Sequence, residues 1–416
     1  MTHEMGATSL ARDPTLGKRL RRRAHESFGM KLSYGFRVGA GYVWDRLTRR
    51  MPAKAGHLLI ALADHFEPAF MPQKSLARAF YDEQEGRIES WCRAYPRAAY
   101  DGRDSEGRPF VHTYFYPAEQ YDRGLVARLA EHCKAGWGEI EVHLHHGVQT
   151  PDNAENTRRQ LVSFRDTLAE EHGCLSYLDG FGMPRYAFVH GNFALANSAG
   201  GRGCGVDSEM QILADTGCYA DMTLPTAVPH PAQTAKINSL YECKLPLWSR
   251  APQRRGRDLE SGRAPRAFPL IIQGPLMIVL SPRSSRLLSI ENGAVTGRNP
   301  LSVQRLEVCK RAAIHVKGRP DWRFIKLHCH GMDPRQQEAL LGAPFTRFLS
   351  DLIENARQRG DTLHFVTARE MVNIMFAACD GRDGNPGQYR DYRLKRVQAT
   401  SFDPRYVDDA TVRARG

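Results

Sequence analysis

The sequence predicts an α/β protein built as a distorted β/α barrel of seven or eight strands. From about residue 57, short apolar segments alternate with polar loops and with amphipathic segments that carry helix caps. The apolar segments lack an apolar-polar alternation, which is typical of parallel strands buried on both faces and joined by helices. No GxGxxG or GxxxxGK[ST] motif follows a strand, so the main nucleotide-binding reason for an open sheet is missing. A closed or nearly closed barrel is therefore favoured.

The individual elements follow from apolar spacing and from capping residues. Asp152 with Glu155 three positions later predicts a helix start, and Thr367 with Glu370 predicts the start of the last helix. Predicted strands cover residues 58–63, 109–117, 138–146, 186–193, 219–225, 275–280, 321–331 and 362–367, and predicted helices cover 121–136, 153–173, 208–217, 333–358 and a segment after 367.

The net charge of +12 is confined to two segments. Residues 1–54 hold 12 Lys and Arg against 4 Asp and Glu, and residues 249–266 hold 6 against 2, so the remainder is neutral in sum. This distribution predicts a basic N-terminal arm (1–54), a catalytic barrel (55–380) with a basic insertion (249–266), and a C-terminal tail (381–416). We expect the arm and the insertion to be mobile, with no nucleic-acid partner. The basic residues of the arm are expected to be solvated without a specific partner, and contact with an anionic membrane surface is the alternative.

The lengths of the apolar runs, the N-terminal residues and the cysteines predict a cytoplasmic protein, with membrane association as an alternative. No apolar run reaches the length of a membrane span, and the N-terminal residues lack the apolar core of a secretion signal. The nine cysteines include no CxxC pair, so reduced thiols are expected rather than a disulfide framework.

Histidines and carboxylates gather where the predicted strands end. In a β/α barrel those ends carry the chemistry, because loops from different strands converge there. His143 and His145 are two positions apart and face the same way, as do His328 and His330, with Cys329 facing away. Imidazoles with a carboxylate form the usual donor set for a divalent ion, with Zn²⁺ favoured. The strand-end residues are Asp64, His65, Glu67, His143, His145, His146, His190, Asn192, His328 and His330.

Simpler interpretations exist for some of these residues. Each histidine taken alone could be a hydrogen-bonded core residue. So many buried histidines at one end of the barrel would, however, all need hydrogen-bond partners or a ligand. Asp152 is better explained as a helix cap than as a metal ligand. No GxSxG motif supports a serine hydrolase.

The order of these motifs resembles the polysaccharide deacetylase superfamily, metal-dependent carbohydrate esterases on a distorted β/α barrel. ALADHFEP stands where the family has its acidic motif, EVHLHHG where it has its histidine motif, and IKLHCHG where it has its Leu-x-His motif. The resemblance spans roughly residues 57–378 and indicates a divergent member. His65 replaces the usual second aspartate, the His-x-x-x-His spacing is absent, and VHGNFAL replaces the arginine-proline motif.

The resemblance implies a role for each matching residue. Asp64 would be the general base, with His328 or His330 as the acid that protonates the leaving nitrogen. His65, His143 and His145 would bind the metal. Substrate-binding roles fall to Glu67, His146, His190, Asn192 and Arg202.

The expected function is a metal-dependent hydrolase, a carbohydrate deacetylase of exopolysaccharide metabolism that removes acyl groups, N-acetyl first among them, from a polysaccharide or sugar precursor. One alternative is a glycosidase on a related barrel, for which Asp64 and Glu67 form the closest carboxylate pair. The other is a catalytically inactive barrel that binds glycans or acts as a scaffold in polysaccharide biosynthesis.

Overall fold

A computed structural model describes residues 35–36, 38–49, 55–71, 77–226, 230–280 and 288–399. The predicted basic arm lies outside the described residues up to residue 34, and the predicted tail lies outside them from residue 400. Within the described part of the chain, none of the helices is long and apolar enough to cross a membrane.

The helices vary widely in length. Residues 38–48, together with the helical residues 35 and 36 before them, form α1. The others are α2 (Tyr81–Ala99), α3 (Arg123–His132), α4 (Ala154–Glu170), α5 (Glu209–Asp215), α6 (Val303–Lys310), α7 (Gln337–Leu341), α8 (Ala343–Arg359) and α9 (Ala368–Cys379). The helix predicted over 333–358 is thus divided at Gly342, and α8 ends at Gly360, whose φ of 69° suits glycine.

The strands are equally varied. They are β1 (His57–His65), β2 (His112–Pro117), β3 (Gly138–Leu144), β4 (Ser176–Leu178), β5 (Phe181–His190), β6 (Cys218–Asp221), β7 (Leu240–Glu242), β8 (Arg257–Asp258), β9 (Leu270–Ile272), β10 (Met277–Leu280), β11 (Leu288–Glu291), β12 (Trp322–Cys329), β13 (Thr362–Phe365) and β14 (Leu394–Arg396).

Most of these strands form one large, mostly parallel sheet, which confirms the predicted α/β class. Its main order is β12-β1-β2-β3-β5-β6-β9-β7-β8, and the pairs from β12 to β9 are parallel. Helices α2, α3, α4 and α5 make the crossovers between successive parallel neighbours. The carboxyl ends of β1, β3, β5 and β12 consequently lie along one edge of the sheet.

One predicted barrel strand is wrong. Residues 275–280 do not join the main sheet, because β10 pairs with β11 as a separate antiparallel hairpin in which Ile278 is exposed. The sheet strand is instead β9, just upstream. Gly274 and Pro275 separate the two apolar segments, and proline interrupts a central strand because it cannot donate a backbone hydrogen bond.

The two faces of the sheet bury different cores. Leu58, Ile60 and Leu62 of β1 belong to the core that includes residues of α2 and α8. Leu59, Ala61 and Ala63 belong to a second core that includes α9. Successive strand residues point to opposite faces, so this division also determines the face on which each polar residue at the end of β1 lies.

Helix α9 is buried along its whole length and begins as predicted. Thr367 and Glu370 form a capping box, and the Thr367 hydroxyl also donates to Glu139 (3.0 Å). The buried Arg369 pairs with Glu139 at 2.8 Å. The cap therefore joins α9 to the start of β3.

The segments predicted to be accessory are packed against the body where the structure describes them. Arg390 binds Asp104 (3.1 Å) and Glu106 (3.0 Å), and β14 pairs with β4, so the predicted tail is part of the fold as far as residue 399. The basic insertion contributes β8 to the main sheet.

We predict that Thr367→Ala lowers the free energy of unfolding by about 1 to 2 kcal/mol, because the first turn of a buried helix loses its cap. Urea denaturation followed by circular dichroism measures this change. Thr346→Ala, at an exposed position of α8, should change stability by less than about 0.5 kcal/mol. Equal losses in the two variants would contradict a capping role for Thr367.

Candidate metal centre

Five polar side chains converge at the edge of the sheet where β1, β3 and β12 end. Each comes from a strand end or from the residues just beyond it, and each lies on the α9 side of the sheet. Their nitrogen and oxygen atoms fall into two overlapping groups within 4.8 Å that share one carboxylate. The members are His65, Glu67, His143, His145 and His330.

Glu67 is the residue shared by both groups. Its Oε1 lies 3.2 Å from His143 Nε2 and 3.5 Å from His145 Nε2. Burial raises the pKa of Glu67, but His143 and His145 outweigh that effect and lower the pKa to about 2. The side chain is therefore a carboxylate at neutral pH.

His143 presents a lone pair to that carboxylate. Its Nδ1 lies 2.8 Å from the carbonyl oxygen of Val189, which can only accept, so Nδ1 carries the proton. Burial lowers the pKa of His143, which favours the neutral ring with an unprotonated Nε2. In this tautomer Nε2 and Glu67 Oε1 are two acceptors 3.2 Å apart, a contact that either a proton or a cation between them stabilises.

A carboxylate holds the Nδ1 atom of His145, as the Val189 carbonyl holds the Nδ1 atom of His143. Glu119 Oε1 lies 2.7 Å from His145 Nδ1, and Glu119 Oε2 accepts from the His145 backbone N–H (3.2 Å). Burial lowers the pKa of His145, but Glu119 and Glu67 raise it above the ordinary value. Gly191 leaves space for the ring, since a Cβ there would lie 2.3 Å from it.

Glu119 was not among the predicted site residues. It follows β2 directly, in the sequence HTYFYPAEQ. A carboxylate that holds the far nitrogen of a histidine is the usual outer partner of a metal-binding imidazole. The position of Glu119 at the end of a parallel strand could have identified it.

His65 and His330 complete the group. Their ring centroids are 4.6 Å apart, and His65 also lies 4.9 Å from the His143 ring. His65 Nδ1 is buried and has no hydrogen-bond partner among the described residues. His330 is half-buried and lies at the outer side of the group.

This donor set suits a divalent ion. The predicted ligands His65, His143 and His145 come together, and Glu67, predicted to bind substrate, lies at their centre. Two imidazoles and one carboxylate are a common set for a catalytic Zn²⁺ with a position left open. A bound ion would take the place of any proton on Nε2 of His145, which the two neighbouring carboxylates favour in the protein without metal.

Asp64, the predicted general base, lies on the opposite face of β1. It is fully buried and accepts from the Gly331 backbone N–H at 2.6 Å, and its other oxygen lies 3.3 Å from His112 Nδ1. Asp64, His112 and Cys329 form a group of their own. Cys329 was expected to face away from His328 and His330. The structure therefore does not bring Asp64 to the metal centre.

His328, one of the two predicted acids, is not among the five residues of the metal centre. Its backbone N–H donates to Gly293 (3.0 Å), and its carbonyl accepts from Val295 (2.8 Å). Burial, followed by the charge of Lys326, lowers the pKa of His328 to about 3. A buried ring that stays neutral at physiological pH is a poor general acid, and the half-buried His330 is the other predicted acid.

His146 and His190 belong to a separate buried network. His146 Nε2 lies 2.8 Å from Glu209 Oε1 and its Nδ1 lies 3.1 Å from Asp152 Oδ2. Burial lowers the pKa of His146, but Asp152 and Glu209 raise it well above the ordinary value. The ring is therefore an imidazolium held between two carboxylates.

The tautomer of His190 distinguishes this network from the metal centre. The Asn192 backbone N–H donates to His190 Nδ1 (3.1 Å), so the proton of the neutral ring lies on Nε2, 3.3 Å from Glu209 Oε1. Although Nε2 lies near Glu209, it has no hydrogen-bond partner among the described residues. Cys204 completes a set of possible metal ligands here, and this network differs from the metal centre in holding the His146 imidazolium between two carboxylates.

The remaining predicted substrate residues are split between interior and surface. Asn192 donates to the His146 carbonyl (3.2 Å) and supports the buried network. Arg202 is exposed near His230, whose ring lies 6.0 Å from Phe193. Phe193 in turn lies 5.8 Å from His65, so these side chains border the metal centre.

Asp152 does not cap α4. The cap is Asn153, whose side chain accepts from the Asn156 backbone N–H, while Asp152 binds His146 and Thr157. The prediction was wrong by one residue because either residue can cap a helix and Asp152 is used elsewhere.

Comparison of the chain with protein-family models and with curated proteins finds no match in either set.

We predict that Glu209→Gln lowers the free energy of unfolding by about 3 kcal/mol, because the His146 imidazolium loses one of its buried counter-charges. Chemical denaturation at neutral pH measures the loss. The exposed pair of Glu354 with Arg357 (2.8 Å) provides a matched control, and Glu354→Gln should leave the free energy of unfolding nearly unchanged, because solvent screens an exposed ion pair. Similar losses in both variants would contradict the buried network.

Proposed function

We propose that this protein is a metal-dependent hydrolase that removes acyl groups, N-acetyl first among them, from a polysaccharide or sugar precursor. The observation that carries the metal is the convergence of the Glu67 carboxylate with Nε2 of His143 and Nε2 of His145, each ring being held at its Nδ1 by another acceptor. The carbohydrate substrate and the deacetylase-type barrel are supported by the resemblance of ALADHFEP, EVHLHHG and IKLHCHG to that family.

In this proposal Glu67, His143 and His145 hold the ion, and His65 is the fourth ligand. When bound, a divalent ion supplies a Lewis acid that polarises a carbonyl and makes a water molecule more acidic. Glu119 orients His145 through its Nδ1, and the Val189 carbonyl orients His143 in the same way. Both rings thus present Nε2 without rotating.

His330 is the residue best placed to move protons. It is half-buried beside His65, at the outer side of the ligand group. In hydrolysis of an amide, one water proton must be removed while the leaving nitrogen must gain one. His330 accepts the first proton and returns it to the nitrogen, so the products are acetic acid and a free amine, which ionise in water to acetate and an ammonium group.

Two alternatives receive less support from the geometry. A glycosidase needs two carboxylates that face each other across the sugar, whereas Asp64 and Glu67 lie on opposite faces of β1. Glu119 and Glu67 instead contact opposite nitrogens of one ring, that of His145. An inactive binding or scaffold barrel would not require three possible metal ligands to face one another at the end of the sheet.

We predict that the purified protein binds close to one divalent ion per chain and that Glu67→Gln does not bind it. A glutamine amide would donate to His143 Nε2, so metal-free Glu67→Gln should be more stable than metal-free wild type by about 1 kcal/mol. Elemental analysis and thermal melts with and without Zn²⁺ test both statements.

The change in melting temperature on adding Zn²⁺ distinguishes a metal-binding role of Glu67 from a merely structural one. At 100 times its Kd, an ion that binds only the folded state adds about 2.7 kcal/mol of stability. The melting temperature of wild type should rise with Zn²⁺, and that of Glu67→Gln should not. An equal rise in both proteins would contradict the site.

We also predict that His330→Gln lowers acetate release from N-acetylated amino-sugar oligomers at least about 100-fold while the metal content stays at the wild-type level. His172→Gln is the matched control, because His172 lies near Tyr121 (3.1 Å) outside the candidate site. Activity equal to wild type in His330→Gln would contradict the proton-transfer role. Metal-loaded wild type that releases no acetate would contradict the deacetylase proposal.

A further inference from the structure

Helix α1 turns a polar face toward the protein. Asp45 is buried, accepts from Asn238 Nδ2 (3.0 Å) and pairs with Arg49 Nε (2.9 Å). Arg46 donates to the Arg311 carbonyl (2.7 Å). Gly41 permits the close approach, since a Cβ there would lie 2.0 Å from the Ala235 carbonyl oxygen. These contacts fix the orientation of α1 on the body.

The outer face of α1 is apolar. Phe36, Val43 and Leu47 are 79 %, 58 % and 73 % exposed, and Trp44 on the flank is 63 % exposed. The positions 36, 40, 43, 44 and 47 follow helical spacing, so their side chains form one stripe along the helix. An amphipathic helix normally buries such a stripe, whereas this one presents it to solvent.

Basic side chains of the described residues lie beside this stripe. A cleft of about 660 Å³ lies between α1 and the basic insertion, and Trp44, Lys236, Arg254 and Arg255 line it. Residues 1–54 and 249–266 together account for the whole net charge of +12. Lys236 is paired with Asp258 (2.6 Å), so Arg254 and Arg255 supply the positive charge beside the exposed apolar face in the described part of the chain.

We propose that this surface binds an anionic lipid bilayer, with the stripe of α1 inserted at the headgroup boundary and the basic side chains against lipid phosphates. A helix that exposes Trp, Phe and Leu between basic residues is typical of interfacial membrane binding. Each Lys or Arg near an anionic leaflet adds attraction that falls off within a Debye length.

The charge distribution favours a bilayer over a protein partner. Protein interfaces are depleted in lysine and place few charges near their apolar centre. Here basic residues lie directly next to the apolar stripe, and they come from two separate segments. Binding would hold the protein at a membrane surface without a spanning helix.

The test is flotation of the full chain with vesicles of phosphatidylcholine alone and with vesicles containing phosphatidylglycerol. We expect wild type to float only with the anionic vesicles and to be released by high salt. Val43→Glu with Leu47→Glu should lower the bound fraction at least about tenfold, as should Arg254→Glu with Arg255→Glu.

Matched controls carry the same changes elsewhere on the surface. Phe181 is 75 % exposed on β5, so Phe181→Glu should bind like wild type. Arg123→Glu with Lys134→Glu alters charge by the same amount as the arginine pair and should also bind normally. Failure of wild type to float with anionic vesicles would overturn the proposal, as would normal binding by the α1 variant. A wild-type dimer that Val43→Glu with Leu47→Glu converts to a monomer, without vesicle binding, would place a second copy on this face and overturn it too.

Discussion

The hydrogen bond from His143 Nδ1 to the Val189 carbonyl is the contact on which the candidate site depends. His143 on β3 and Val189 on β5 are partners in the register of two parallel strands. The carbonyl can only accept, so strand pairing decides which ring nitrogen keeps the proton. The other nitrogen then faces Glu67 with a lone pair. A backbone contact deep in the sheet thereby gives the edge of the sheet its capacity to bind a cation.

The alternation of side chains along each strand determines on which face of the sheet the other polar residues lie. On β1, His65 faces the α9 side with the metal centre, and Asp64 faces the α2 side, where it binds Gly331 and contacts His112. On β12 the same rule separates Cys329 from His328 and His330. Two adjacent polar groups therefore result, one on each face of the sheet, and the group on the α9 side places two histidine rings against the carboxylate of Glu67.

Much of the fold could be predicted from the sequence because local signals are strong there. Buried apolar strands, the capping box of Thr367 with Glu370, and the glycine that ends α8 are all present where expected. The hairpin at 275–280 could not be distinguished from a sheet strand, since an apolar segment does not specify its partner. Whether the sheet closes as a barrel depends on long-range geometry that periodicity does not contain.

The site was predictable in part. Strand spacing placed His143 and His145 on one face, and the same spacing applied to Asp64 and His65 would have separated them. The role of Glu119 and the protonation of His190 depend on contacts between distant loops, which sequence spacing does not show. The second network also explains why histidines are frequent after β3: His145 faces the metal centre, and His146 anchors the loop that follows β5.

Anomalous scattering from crystals of the full chain, grown with Zn²⁺ and measured at the zinc absorption edge, tests the central claim most directly. The account predicts a peak about 2 Å from the Nε2 atoms of His143 and His145 and from a carboxylate oxygen of Glu67. A peak confined to the group around Glu209, or no peak between Glu67 and the two histidines at saturating Zn²⁺, would contradict it.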